Sequence, residues 1–235
     1  MKLLFHLHTH HSFDSMVKPA TIIEFALVNG IRMIAITDHG TIDGSVEAQN
    51  IVREKELPLE IIIGAEYLTD SGDIVGLFLK EEIREKSAEK LIDQIHQQGG
   101  LAILPHPYYH HTLSKSWLDK IDVIEVFNPR CTEAENKQAA ALAKRNNKPG
   151  ICGVDAHLAS ELKLCVNTIE DQISPREAIL SEKEYTTSYT SKSNILRSQI
   201  IKGYKTRNVA LILMTLKSLV LVKVLKALKR RGNNG

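Results

Sequence analysis

Apolar positions fall along this chain in short unbroken runs, not in strict alternation. The runs cover residues 2–7, 32–37, 60–65, 73–79, 101–104, 123–127 and 150–154, and each ends in polar, Gly or Pro punctuation. Continuous runs rich in aliphatic and β-branched residues suit strands covered on both faces. Between them the pattern turns helical. Residues 19–28 place Ile22, Ile23, Phe25 and Ala26 ahead of Gly30 as a stop. Residues 81–97 predict a polar-faced helix ended by Gly99-Gly100, and the alanine-rich stretch 132–145 predicts another. Strands alternating with helices predict parallel βα units and an α/β fold. Six or seven such units fit a closed or nearly closed barrel better than an open sheet.

The polar residues that break these runs are not scattered. His6 and His8, Asp38 and His39, Glu66, His106, Asn128, and Asp155 with His157 all fall at or just after the C-terminal end of a predicted strand. In a β/α barrel, active sites are built at that end. His6 and His8 are two apart, and residues i and i+2 of an extended strand share a face. Both imidazoles can therefore reach one ion, although the pair alone reads equally as two satisfied core histidines. Asp14, beside Ser15, reads in isolation as a turn or capping residue. Asp38 is placed to orient or polarise His39. Glu66 emerges from Ile61-Ile62-Ile63, where a carboxylate is costly unless paired or metal-bound. His106, held between Pro105 and Pro107, is either a fixed ligand or part of a rigid turn. Asp155 and His157 make a second i, i+2 pair. This mixed nitrogen and oxygen set suits zinc, manganese or iron better than copper.

Composition narrows the picture without deciding it. The 235 residues suit one sizeable domain or a small barrel, and a net charge of +2 gives no global field that advertises nucleic acid. Cys131, Cys152 and Cys165 are too few for a disulfide framework, so a reducing, cytoplasmic setting is expected. Lys2 and the short apolar run after it do not make a signal peptide. Among the ten histidines, His6, His8, His10, His11, His110 and His111 are clustered, but they are interrupted and embedded in other sequence, unlike an affinity tag.

Taken in order, these stretches resemble the polymerase and histidinol phosphatase (PHP) family of metal-dependent phosphoesterases. The likeness rests on His6-Leu7-His8-Thr9 with Ser12-Phe13-Asp14-Ser15, on 34–40, on Gly64-Ala65-Glu66, and on Gly99-Gly100 leading to Pro105-His106-Pro107. It continues through 124–128 to Gly153-Val154-Asp155-Ala156-His157, spanning roughly residues 1–160. The resemblance implies a distorted (β/α)7 barrel with two or three divalent ions, manganese, zinc or iron. One ion would take His6, His8, Glu66 and Asp155. A second would share Glu66 with His106, and a third would take Asp14, His39 and His157. The chain departs from the family pattern at Leu4, where an Asp is common, and at Val154, where a Ser is usual. His96, the only histidine between Glu66 and His106, sits in a predicted helix and reads as a surface or packing residue. Cys131 reads as an ordinary thiol or as a further ligand to the second ion.

The implied chemistry is hydrolysis of phosphate esters by metal-activated hydroxide, with Asp38, His39 or His157 steering protons. Arg130 and Asn128 are candidates for substrate contact, as are His110 and His111, with Tyr108 and Tyr109 beside them. Expected substrates are small nucleotides, sugar phosphates or short oligonucleotide ends. A histidinol-phosphatase-like monoesterase and a non-catalytic metal-binding regulatory protein are the alternatives. The expected division is a metal-binding barrel core over 1–170, its completion with a polar loop over 171–207, and an apolar, basic C-terminal helix over 208–235. Residues 181–194 read as loop and a short strand. The last helix reads as packed on the barrel or in a dimer, as a basic interfacial helix, or as a membrane span; lysines interrupt the apolar length that a span requires. Asn233, Asn234 and Gly235 are expected to fray.

Overall fold

The computed structural model describes residues 1–171 and 173–232, with side chains described through 220 and at 222. The expected fraying at Asn233, Asn234 and Gly235 therefore lies outside the described residues, as do the side chains of Lys223, Lys226, Lys229, Arg230 and Arg231. The chain opens with β1 (Lys2–Leu7), α1 (Pro19–Val28), β2 (Met33–His39), α2 (Asp43–Glu54) and β3 (Glu60–Thr69). It continues through β4 (Gly72–Leu77), α3 (Ala88–Gln97), β5 (Leu101–Leu104), α4 (Lys115–Leu118), β6 (Val123–Phe127), α5 (Glu133–Arg145) and β7 (Gly150–Cys152). It ends with β8 (Cys165–Thr168), α6 (Pro175–Leu180), β9 (Glu184–Thr187), α7 (Lys192–Lys205) and α8 (Val209–Gly232).

One sheet holds all nine of these strands, in the order β7-β6-β5-β4-β3-β2-β1-β8-β9. β1, β2 and β3 are mutually parallel, as are β5, β6 and β7. Not every unit is a parallel βα unit, however. β4 runs antiparallel to both its neighbours because it returns from β3 through a two-residue link, with Thr69 opposite Gly72. A parallel return needs a long crossover, and none fits there. The sheet nearly closes on itself where the segment after β7 meets β1. Val154 N donates to Phe5 O at 2.8 Å, and His8 N donates to Ala156 O at 3.0 Å. From β8, the Asn167 side chain clamps the seam by bonding both Cys152 N (2.9 Å) and Cys152 O (2.8 Å).

The strands divide their apolar residues between two sides. Leu3, Phe5, Met33, Ala35, Ile62, Val75, Leu77, Leu101, Ile103, Val123 and Ile151 pack together, and because they come from β1 through β7 they fill the barrel interior. Ile169, with Ala178 and Ile179 of α6, plugs one end of that interior. The alternate positions face outward: Leu4, Ile34 and Ile36 meet α1 and α2, while Ala65, Tyr67 and Ile124 meet α3 to α5. Both faces of each central strand are therefore covered, which is why the runs are continuous in sequence.

Some boundaries differ from the apolar pattern. The helix expected over 81–97 begins only at Ala88, because the preceding segment is tied down in another conformation. Gln98 Oε1 accepts from Lys80 N and Glu81 N (2.7 and 3.1 Å), and Tyr67 Oη accepts from Ile83 N at 3.2 Å. α5 starts after Thr132, which forms a capping box with Glu135. The short strand expected within 181–194 is β9, but the polar stretch after it becomes α7. α8 packs along α7, where Gly203 leaves the room that Ile212 occupies. Val209, Leu213, Met214, Leu216 and Val220 remain exposed on α8, and among the described residues no helix is long and apolar enough to cross a membrane.

Candidate metal centre

The site begins with a break in β1. His6 has φ of 66°, and the pairing of β1 with β2 shifts register between Phe5 and Leu7. Regular alternation would send His6 outward with Leu4. The bulge turns it inward beside Phe5, while Leu7 packs outside, so His6 and His8 both point into the barrel mouth. His106 (φ 27°) and Asp155 (φ 47°) also hold left-handed backbone that costs non-glycine residues energy. Such strain concentrates where surrounding structure fixes a functional geometry. Glu66 needs no such device, because it follows Ile62 and Gly64 in phase on β3.

Glu66 is the hub of the cluster. Its Oε2 lies 3.4 Å from His6 Nε2, 3.5 Å from His8 Nε2 and 3.2 Å from His39 Nδ1, and its Oε1 lies 3.2 Å from His106 Nε2. Asp155 Oδ1 approaches His8 Nε2 at 3.4 Å and His157 Nδ1 at 3.3 Å. Asp14 Oδ2 approaches His39 Nε2 at 3.3 Å and His157 Nε2 at 3.1 Å. Among the described residues, three donor groups with metal-binding spacing result here: His6, His8 and Asp155; His6, Glu66 and His106; and His8, Asp14, His39 and His157. His10, His11 and Glu47 form a separate, partly exposed group.

A layer of polar contacts fixes these side chains. His6 Nδ1 donates to Glu125 Oε1 at 2.9 Å, while Glu125 Oε2 accepts from His106 N (2.7 Å) and Asn128 Nδ2 (3.0 Å). Asn128 Nδ2 also reaches Asp155 Oδ2 at 3.2 Å. Glu125 lies in the 124–128 motif but is assigned no role there, although a carboxylate between Ile124 and Val126 carries the same warning as Glu66. Asp38 accepts from Thr9 N (2.5 Å), Thr9 Oγ1 (2.6 Å) and Ser12 Oγ (2.7 Å). Ser12 Oγ in turn accepts from His39 N at 3.0 Å and His8 Nδ1 at 3.2 Å. Glu161, also unforeseen, is fully buried and accepts from His157 N at 3.0 Å and Arg130 Nη2 at 3.1 Å.

The charges are strongly coupled. Burial alone would raise the Glu66 pKa, but His6 and His39 outweigh it and hold the carboxyl well below the usual range. Burial would lower His39 and His106; Glu66 beside both, joined by Asp14 at His39, instead raises each to about 9. His8 goes the other way, to about 4, because burial is joined by repulsion from His157 and His39. Burial, with Glu66 nearby, lifts Asp73 to about 6. Among the described residues, His6 Nε2, His8 Nε2 and Asp14 Oδ1 are buried without a hydrogen-bond partner. Bare buried polar atoms are expensive. All three belong to residues of the donor groups, so a divalent cation would satisfy atoms that the protein leaves bare. The donor set fits metal.

Above the cluster lies a cavity of about 660 Å³, a volume suited to a small ligand. Asp14, His39, Glu66, His106, Asp155 and His157 line it, with Asn128 and Arg130. Asp38 does not, because it continues the outward face of β2, against Gly44 of α2. His110 and His111 are also outside the lining; His111 instead meets the carbonyls of Tyr109 and Asp73 through its two ring nitrogens, while Tyr109 faces the cavity. Cys131 lines it but belongs to none of the donor groups among the described residues, and burial pushes its thiol pKa up, against a thiolate. His96 sits on α3, paired with Asp122 at 2.8 Å. Phe13, which the motif around Asp14 contains without a role of its own, also lines the cavity, as do Lys86, Gln199 and Lys202, which lie outside the motifs.

A PHP-domain family model matches residues 5–191. The chain belongs to the PHP family. It is 42% identical over 144 residues to an uncharacterized protein of Methanocaldococcus jannaschii, covering 54% of this chain and 82% of that one. It is 28% identical over 120 residues to a 5'-3' exoribonuclease of Haemophilus influenzae, covering 43% and 42% respectively. Its fold is similar to a two-domain protein of Bacteroides vulgatus containing a predicted PHP-like metal-dependent phosphoesterase, with a TM-score of 0.66, 16% identity, and 84% of this chain against 68% of that one. The departures from the PHP pattern at Leu4 and Val154 lie outside the metal cluster. Leu4 and Val154 both pack in the outer apolar layer, so neither removes a donor from the mouth.

Proposed function

We propose that this PHP protein hydrolyses phosphate esters of small molecules: nucleotides, sugar phosphates or short oligonucleotide ends. One observation carries the reading. Glu66 places its two carboxylate oxygens among four histidines at the floor of an open cavity, so metal ions held there would face substrate instead of being sealed in. Two or three ions of manganese, zinc or iron would lower the pKa of coordinated water and neutralise phosphate charge.

The chain's own residues supply the positioning. Glu125 orients His6, Asn128 steadies Asp155, and Asp38 acts through Thr9 and Ser12 on the loop below His8 and His39. His39 and His157 line the cavity and are placed to hold or pass a proton at their ring nitrogens. Phe13 and Tyr109, 38% and 50% exposed, offer flat faces to a base or sugar. The test is to quantify metals in the purified protein, then follow phosphate release from monoesters and alcohol release from diesters with manganese, zinc or iron added. Turnover by the native protein, lost in His8→Ala and Asp155→Ala, is the expected result. No turnover with any metal, or equal turnover by the variants, would remove the hydrolase reading.

A further inference from the structure

The PHP match ends at residue 191, and α7 begins at Lys192. α7 nonetheless builds one wall of the cavity. Ile195, Gln199 and Lys202 line it, and their i, i+4, i+7 spacing places them on one helix face. Two contacts fix that face. Arg130 Nη1 donates to the buried Ser198 Oγ at 3.2 Å. Lys205 Nζ donates to the carbonyls of His10 (2.6 Å), Ser12 and Ser15 (3.2 Å), along the loop that carries Asp14.

Among the described residues, three lysine or arginine side chains line the cavity, and their commitments differ. Arg130 is engaged through Nε to Asp155 O, through Nη1 to Ser198 and through Nη2 to Glu161. Lys86 Nζ reaches Leu68 O at 3.4 Å. Lys202 makes no ion pair among the described residues; its Nζ lies 4.9 Å above the Phe13 ring. That ring stacks on His39 at 4.5 Å and 14°. Lys202 and His39, a residue of the donor cluster, therefore both contact the Phe13 ring. An exposed cation–π contact is worth roughly 0.5–1 kcal/mol, little enough for an anionic ligand to displace.

We propose that Lys202 is a specificity-determining residue that binds an anionic group of the substrate other than the phosphate being hydrolysed. The favoured substrates are then phosphate esters whose remaining part carries negative charge. This rests on the phosphoesterase reading and deepens it. A cation on a long flexible stem suits a charged group held at the mouth, while the fixed donors below address the reacting phosphate.

The test compares fructose 1,6-bisphosphate with fructose 6-phosphate as probes of the full-length, metal-loaded protein. Lys202→Gln lowers the ratio of kcat/KM for the bisphosphate over the monophosphate by about tenfold, through KM, and Lys202→Arg recovers most of it. Lys192→Gln, at the exposed start of the same helix, controls for net charge and leaves the ratio unchanged. An unchanged ratio in Lys202→Gln, with the native protein hydrolysing both probes, overturns the Lys202 assignment and leaves the phosphoesterase reading standing. Calorimetric binding of the bisphosphate separates the converse case. Native protein that binds without turnover, with binding weakened about tenfold in Lys202→Gln, supports the assignment while the hydrolase reading fails. Equal binding by the two proteins, or no binding by the native one, overturns the assignment.

Discussion

Glu125 Oε1 accepts a hydrogen bond from His6 Nδ1 at 2.9 Å and so decides which nitrogen of His6 faces Glu66 and Asp155. A ligating histidine without such a partner can rotate or adopt the wrong tautomer, and loss of the partner costs roughly 10–100-fold in metal affinity. Glu125→Gln is therefore expected to weaken metal binding by about that factor, measured by competition with a chromogenic chelator. Gly153→Ala should do the same indirectly, because a methyl group there collides with Glu125 Oε1. Native affinity in both variants would show that Glu125 is only a buried acid.

Lys205 connects α7 to the loop from His10 to Ser15 through three carbonyls. Lys205→Met removes those bonds but keeps an unbranched apolar stem. If Asp14, His39 and His157 hold one ion and His6 helps to hold another, the expected outcome is selective loss of the first with the second retained. Metal analysis after graded dialysis checks it: simultaneous loss of every ion would contradict this division.

The charge coupling gives the metal-free protein a distinctive pH dependence. His39 and His106 are raised to about 9 from an ordinary 6.5. Between those values the folded protein holds more protons than the unfolded chain, so stability falls as pH rises. The contribution is whole below about 6.5 and gone above about 9. The melting temperature of metal-free protein should fall by roughly 5 °C or more from pH 7 to pH 9.5. Metal affinity should climb over the same window, because the ion must displace those protons. A melting temperature that rises with pH would contradict the assigned charges.

Asp38 is fully buried and accepts three hydrogen bonds from Thr9 and Ser12. Asp38→Ala leaves those donors bare and is expected to cost about 3 kcal/mol or more. For a chain of this size, that is a drop of roughly 10 °C in melting temperature by calorimetry. A shift under roughly 2 °C would mean that the loop finds other acceptors.

Much of the barrel and its mouth was legible because strand ends are marked by abrupt polarity. Glu66 after three isoleucines and His106 between two prolines are costly residues in costly places, and the structure brings their side chains together. His6 and His8 both face the barrel mouth, but not through regular strand alternation. Two residues of a regular strand share a face, but that face would have been the outer one without the bulge at His6. Left-handed backbone at a histidine leaves no mark in the sequence. The reversal of β4 was hidden because its apolar run looks like any other buried strand; only the two-residue link to β3 betrays it. α7 was hidden for another reason. Its helix is mixed in character, and Lys202 and Gln199 matter only because the helix docks against a distant loop, a relationship no local pattern encodes.

The central claim is that the cluster around Glu66 is a hydrolytic metal centre, and the rate of phosphate release by Glu66→Gln tests it most directly. The substitution keeps the shape of the side chain while removing the charge shared by His6, His8, His39 and His106. With p-nitrophenyl phosphate and added manganese, the native protein should turn over, stop when chelated and resume on reloading. Glu66→Gln, folded by circular dichroism, should be at least about a hundredfold slower, a loss of about 2.7 kcal/mol in transition-state stabilisation. Equal rates in the two proteins, or native turnover indifferent to chelation, would contradict the account.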